Sequence, residues 1–312
     1  MRFLAFLMMW GATQAFAQVV GLGTTQAGAT FQLATGIAKV VSDKAGVQLR
    51  TQPMAGAAQY APLVNAGDIE FGISNAPELN YLVAGKVIVE GRRNPELRMV
   101  ARLVPWYNGF VVKADSAIRS LKDLKGQPVP SGFTGNPLGR VLVEGYLANA
   151  GLRLEDVRQV PVPSFPRMFD AFKQQQTVAS IATIGQSQLK EWEVSLGGVR
   201  FLPFDDSPSA VAALQQHVPF SYVQQVQPGP TGVPAPTNLL VYDYTLWANS
   251  RVDPEIVAKV VEALHDNAAA LKSTSPLWKE FDPAKMSKAL GVPYHPGAIR
   301  FYQSKGIWPA KS

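Results

Sequence analysis

Apolar residues fall on one helical face over residues 29–44, where Phe31, Leu33, Ala34, Ile37, Val40 and Val41 recur and Gly46 supplies a stop. The preceding stretch, 18–22, is a short apolar run that reads as a strand. It leads into the small, polar segment Gly21-Leu22-Gly23-Thr24-Thr25-Gln26-Ala27-Gly28. Alternation predicts a strand at 47–51, and a helix passes through Tyr60, Leu63 and Val64 to stop at Gly67. A strand at 68–73 ends in Ser74-Asn75, and Pro77 restarts a helix through Leu79 and Leu82. Strand and helix alternate, which predicts an α/β fold with a parallel or mixed sheet flanked by helices. Two more strands are expected at 97–104 and 107–112. Residues 114–126 then break the pattern as a connector with one helical turn, capped by Ser120 and stopped by Gly126.

The pattern resumes beyond that connector. A strand at 128–130 is followed by the loop Ser131-Gly132-Phe133-Thr134-Gly135-Asn136-Pro137 and a helix over 138–150 with Val141, Leu142, Tyr146 and Leu147 on one side. Further strands are predicted at 158–161, 178–184 and 199–204. Helices are predicted through Met168, Phe169 and Phe172, and through Leu189 and Trp192. The Pro/Gln/Gly-rich stretch 219–236 reads as irregular. A strand at 237–244 returns to the first lobe, one helix spans 256–271 behind Asp253-Pro254, and a last helix begins within 294–302.

Two places repeat one motif, an apolar strand, a small polar loop and a helix N-terminus. Free N–H groups and the positive end of the helix dipole make such a corner attractive to anions. Thr24, Thr25 and Thr30 in the first corner, and Ser131 and Thr134 in the second, are the expected donors; Gln26 and Gly135 complete the two loops. Asn75, Asn136 and Gln186 stand at strand ends, where open α/β sheets place ligands. Phe31, Phe133, Trp106 and Tyr107 are candidate apolar walls, although Trp106 and Tyr107 also suit packing between lobes. Arg140 suits either an anion contact or a solvated helix face.

Composition narrows the classes. The chain has 312 residues, 47% of them hydrophobic, enough for two lobes. It has no cysteine, which excludes disulfides and thiol chemistry. The net charge of +6 comes without a long Lys/Arg run, so no nucleic-acid partner is expected. Arg2, the apolar run 3–10 and Ala15-Phe16-Ala17 read as a signal peptide over 1–17, in preference to a buried N-terminal helix, and the run is too short to span a bilayer. Cleavage leaves +5 and a soluble periplasmic protein. Known chemical motifs are missing. The third glycine of G-x-G-x-x-G would fall on Gln26, and there is no Gly-Lys-Ser/Thr and no G-x-S-x-G. His217, His265 and His295 lie far apart, and Asp205-Asp206 reads as a solvated turn. Glu78 and Glu144, the carboxylates nearest the corners, are expected on solvent-facing sides of helices. No cofactor, metal or catalytic group is expected.

Several segments carry a resemblance over about 19–308. They are the opening loop and helix, the run from Ala55 through Asn65-Ala66-Gly67-Asp68-Ile69-Glu70-Phe71-Gly72, Asp243-Tyr244 leading to Pro254, and Tyr294-His295-Pro296-Gly297-Ala298 with Phe301-Tyr302. The connector Ser120–Gly126 is shared more widely among type II periplasmic binding proteins. The chain resembles the TAXI family of solute-binding subunits of TRAP transporters. It departs from that family at Gln26 and Ala27, where glycine is common, and at 174–179, which lacks the Gly-x-x-Asp-Ala turn. The resemblance implies a two-lobed type II periplasmic binding protein, each lobe a mixed sheet flanked by helices, with a ligand cleft between lobes. Lobe 1 would be 18–112 plus 237–312 and lobe 2 113–236, hinged near 112–115 and 204–237. It implies capture of a small organic anion (amino acid, keto acid or dicarboxylate) for TRAP membrane subunits. Alternatives are a binding protein of an ABC or tricarboxylate-type transporter, and an enzyme on the same fold.

Overall fold

The computed structural model describes residues 18–310 apart from Glu90. The predicted signal peptide lies outside the described residues. The first unit runs β1 (Gln18–Thr25), α1 (Gly28–Lys44), β2 (Val47–Met54), α2 (Ala57–Ala66), β3 (Phe71–Asn75), α3 (Ala76–Ala84). Then come β4 (Leu97–Lys113), β5 (Pro128–Gly132), α4 (Leu138–Asn149), β6 (Arg158–Val162), α5 (Phe165–Lys173), β7 (Ser180–Thr183) and α6 (Ser187–Ser195). The chain finishes with β8 (Val199–Phe201), α7 (Pro208–His217), β9 (Tyr222–Val226), β10 (Thr237–Asn249), α8 (Pro254–Asp266), α9 (Ala268–Thr274) and α10 (Pro296–Ser304).

Eight strands form one curled mixed sheet in the order β2-β1-β3-β10-β4-β7, with β8 added to β4 and β9 to β10; β5 and β6 pair separately in parallel. β1 is parallel to β2 and β3, while β10 runs antiparallel to β3, β4 and β9. The result is the two-lobed type II binding-protein fold, and β4 and β10 are the long strands at the middle of the sheet. The end of β4 pairs with β7 and β8, whereas its first half pairs with β10 and bridges Tyr294 at Met99. β10 pairs with β9 at its start and with β3 at its end. At 17 residues, β4 is roughly 55 Å long. One large apolar core surrounds the sheet, and a smaller cluster of Val111, Phe172, Leu189, Trp192, Phe201 and Leu239 packs beyond the end of β4.

Three expectations are corrected here, and one helix, α7, was not expected. The strands at 97–104 and 107–112 are one strand, because Pro105 sits opposite Asp243 beside a register irregularity where a missing N–H is tolerated. The 219–236 stretch contains β9, a largely exposed edge strand. Residues 208–217 form α7, capped by Ser207 with Pro208 in its first turn. The helix expected over 256–271 breaks at Asn267 into α8 and α9.

Beside the irregularity, Asp243 is buried and holds two cations. Arg102 Nε donates to its Oδ1 at 2.7 Å, and Lys288 Nζ donates to its Oδ2 at 2.7 Å. Arg102 is itself buried, while Lys288 is partly open to solvent.

Candidate functional site

β1 ends at Thr25, whose hydroxyl donates to the Ala27 carbonyl at 3.0 Å. Gly28 then takes φ +83°, a left-handed conformation that favours glycine, and opens α1. No side chain caps the first turn of α1, nor those of α4, α5 and α6. These four ends meet around one cavity of about 70 Å³, to which each contributes residues, as does the first turn of α3. Among the other helices, α3 is capped at the cavity by Asn75, and α7, α8 and α10, which open elsewhere, by Ser207, Asp253 and His295, whereas α2 and α9 have no side-chain cap. A helix start leaves N–H groups in need of acceptors. Around the cavity that need is left for whatever enters.

The floor is built from the two long strands. Trp106 and Asn108 lie two apart on β4, as do Tyr242 and Tyr244 on β10, so each pair faces one side. Trp106 stacks on Tyr244 with ring centroids 4.0 Å apart. Trp106 Nε1 and Asn108 Nδ2 both donate to Thr183 Oγ1, the latter at 2.8 Å, and Thr30 and Tyr244 share a hydroxyl–hydroxyl bond. Gln186 Oε1 accepts from the Thr183 N–H at 3.0 Å. Its Nε2, and Asn108 Oδ1, are buried without partners among the described residues. Leu138, Leu142, Phe165, Phe169 and Ile181 make the apolar wall.

Glu78 is the ionisable carboxyl of this cavity, and its position corrects the solvent-facing expectation. It sits in the first turn of α3, 4% exposed, with its backbone N–H bound to the capping side chain of Asn75. Its carboxylate accepts no hydrogen bond from any described residue. Burial pushes the group from the ordinary 4.5 up to about 8. Burial likewise drives the phenols of Tyr60, Tyr242 and Tyr244 upward, with nearby Glu78 adding to the effect. Among the described residues, no lysine, arginine or histidine lines the cavity.

A profile of the NMT1-like family matches residues 22–306. This chain belongs to the NMT1-like family. Solved structures support the fold at low identity. PhnD1 from Prochlorococcus marinus in complex with methylphosphonate is 11% identical, with 93% of this chain and 97% of that one covered and a TM-score of 0.57. A binding protein component of an ABC phosphonate transporter from Pseudomonas aeruginosa is 12% identical, with coverages of 85% and 81% and a TM-score of 0.57. The alkanesulfonate-binding protein SsuA from Xanthomonas axonopodis pv. citri, bound to MOPS, is 14% identical, with 96% of each chain covered and a TM-score of 0.50.

In this NMT1-like chain, the sequence candidates Thr25, Thr30, Asn75, Trp106, Asn136 and Gln186 come together at the cavity. The others lie elsewhere. Thr24 and Ser131 are buried in their strands, and Gln26 and Thr134 are exposed. Gly135 donates its N–H to the Pro163 carbonyl at 2.9 Å. Phe31 lies beside Gln32 and Thr35 in a shallow depression against residues 273–276. Tyr107 lines a neighbouring cavity of about 250 Å³ and donates to Glu280 Oε2 at 3.0 Å. Arg140 is exposed and paired with Glu144 at 2.7 Å. Phe133 is a core residue. It takes a left-handed φ of +52°, unusual for a bulky side chain, and packs on Phe165 with centroids 5.6 Å apart. A Cβ on Gly139 would stand 2.2 Å from the Phe133 ring, so the glycine makes room for it.

Glu78, Asn108, Thr183, Tyr242, Tyr244, Phe165 and Phe169 were not anticipated. For Glu78 a signal existed: Asn75-Ala76-Pro77-Glu78 has the spacing of a capped first turn with an acid at its third position. Two side-chain contacts neighbour the cavity residues Thr30, Gln186 and Asn136. Gln32 Nε2 on α1 donates to Ser187 Oγ on α6 at 2.8 Å, and Asn136 Nδ2 donates to the Ala55 carbonyl at 3.2 Å. Among the described residues, no helix is long and apolar enough to cross a membrane.

Proposed function

We propose that this protein is an extracytoplasmic solute-binding protein, which captures a small carboxylate-bearing ligand by closure of two lobes and delivers it to a membrane transporter. The observation that carries this reading is the single cavity beneath the uncapped first turns of α1, α4, α5 and α6. Each helix N-terminus favours an anion by roughly 0.3–1 kcal/mol, and by up to about 2 kcal/mol when partly buried. With Glu78 protonated at neutral pH, nothing in the cavity wall opposes a carboxylate. The lobes are 18–112 with 237–312, and 113–236. They hinge near 112–115 and 204–237, and the Gln32–Ser187 and Asn136–Ala55 contacts act as closing latches. No catalytic pair accompanies the site, and bound ligand leaves unchanged.

The partner is a TRAP-type membrane subunit on the sequence resemblance. A second reading, an ABC transporter, is favoured by the Pseudomonas neighbour, a component of an ABC phosphonate transporter. Uptake into vesicles reconstituted with the adjacent membrane genes decides between them: an ion gradient alone suffices for the first, and ATP is required for the second. Binding itself is tested by thermal denaturation of ligand-stripped protein. A ligand at a hundredfold excess over Kd stabilises by about 2.7 kcal/mol. A panel of amino acids, keto acids and dicarboxylates that gives no shift overturns the reading, and ligand turnover followed by NMR overturns its non-catalytic part.

A further inference from the structure

Glu78 is a buried carboxyl that faces the cavity and accepts no hydrogen bond from any described residue. The titratable groups around it are the phenols of Tyr60 from α2 and of Tyr242 and Tyr244 from β10, all held neutral by burial. Among the described residues, no cation lines the cavity to balance an ionised Glu78. A buried carboxylate without a partner is costly, and a cation brought by the ligand removes that cost. The stacked rings of Trp106 and Tyr244, which line the same cavity, suit a cation as well. The uncapped first turns of α1 and α4 offer donors to a carboxylate, whereas the wall residues Leu138 and Ile181 are apolar, so a second carboxylate has no cationic subsite.

We infer that Glu78 receives the ligand's ammonium group, and that the ligand is a small zwitterion: one carboxylate and one protonated amine on a mainly apolar body. This inference rests on the solute-binding reading and narrows it. Glu78 is then the residue that distinguishes an amine from its oxo or deaminated analogue. Below pH 8 the free carboxyl holds its proton and gives it up to solvent as the ammonium arrives, so binding releases close to one proton per ligand at pH 7.

The test is calorimetric titration of ligand-stripped full-length protein with matched pairs: L-alanine and pyruvate, L-valine and 3-methyl-2-oxobutanoate, 4-aminobutanoate and butanoate, and L-glutamate and 2-oxoglutarate. The amine of at least one pair should bind ten- to a hundredfold tighter than its partner, the range of a charge-assisted hydrogen bond. Titration in buffers of different ionisation heat should show the released proton, and Glu78→Gln should abolish both the preference and the release. Oxo or deaminated members binding as tightly as the amines, or an amine preference that survives in Glu78→Gln, overturns the assignment and leaves the solute-binding reading intact. Binding of none of the eight compounds overturns both. The wild-type comparison needs no variant, so a misfolded Glu78→Gln protein does not shield the inference.

Discussion

The buried carboxyl of Glu78 has a cost in the ligand-free molecule that can be measured. Its native value near 8 lies about 3.5 units above the ordinary 4.5. Between those values the unfolded chain has released the proton and the native protein still holds it. The native state therefore binds more protons, and its stability falls as pH rises through this window. At about 1.4 kcal/mol per unit, the loss amounts to roughly 3 kcal/mol by pH 7 and about 5 kcal/mol above pH 8. Glu78→Gln has nearly the same shape and cannot ionise. The variant should match wild type near pH 4, then exceed it by an increasing margin up to about pH 9. Urea unfolding of ligand-stripped wild type and variant at pH 4, 7 and 9 reads this difference directly. Parallel pH profiles would refute the reasoning, because they would mean that the Glu78 carboxyl is solvated when no ligand is bound. A growing gap would instead identify Glu78 as a residue retained at the expense of stability, as functional sites often are.

Other outcomes follow from the packing. Asp243→Asn leaves the buried Arg102 without its counter-ion and should cost about 3–5 kcal/mol in urea unfolding, whereas Lys288→Ala, at the partly solvated arm, should cost at most about 1 kcal/mol. Gly139→Ala forces a methyl against the Phe133 ring and should destabilise by roughly 1–3 kcal/mol in the same assay. Gln32→Ala removes an exposed contact between α1 and α6; stability should change by less than about 0.5 kcal/mol, while ligand dissociation measured by stopped-flow tryptophan fluorescence should speed up several-fold.

Much of the fold could be read from local pattern. The apolar stripe of α1, the stop at Gly67 and the Asp253-Pro254 start of α8 are all signals contained within a few residues. The misses are places where tertiary structure overrides such signals. Pro105 looks like a break in isolation, and it is the Asp243 irregularity on another strand that lets β4 continue. β9, with the sequence Tyr-Val-Gln-Gln-Val, does not alternate and exists through its pairing with β10. The cavity shows the same division. Asn75, Asn136 and Gln186 could be found because strand ends beside helix starts are visible in sequence. Tyr242 and Tyr244 could not, because only the crossing of β10 beside β4 brings their rings to the ends of helices far away in the chain. Phe133 was misplaced for a subtler reason: its loop was read correctly as a turn, but its left-handed backbone aims the ring into the core.

The two long strands β4 and β10, which pair with β7, β8 and β9 from residues 113–236, have a consequence for how the molecule can be divided. Removing 113–236 takes β7 and β8 from β4 and β9 from β10, so the remainder does not keep a complete sheet. The lobes are therefore not modules that fold alone and are then joined. Heat or urea should melt them in one cooperative transition, and a chain cut near 112 and 237 should yield no folded fragment. The same continuity makes ligand capture felt by the whole polypeptide, so a probe placed far out on either lobe should report binding at the centre.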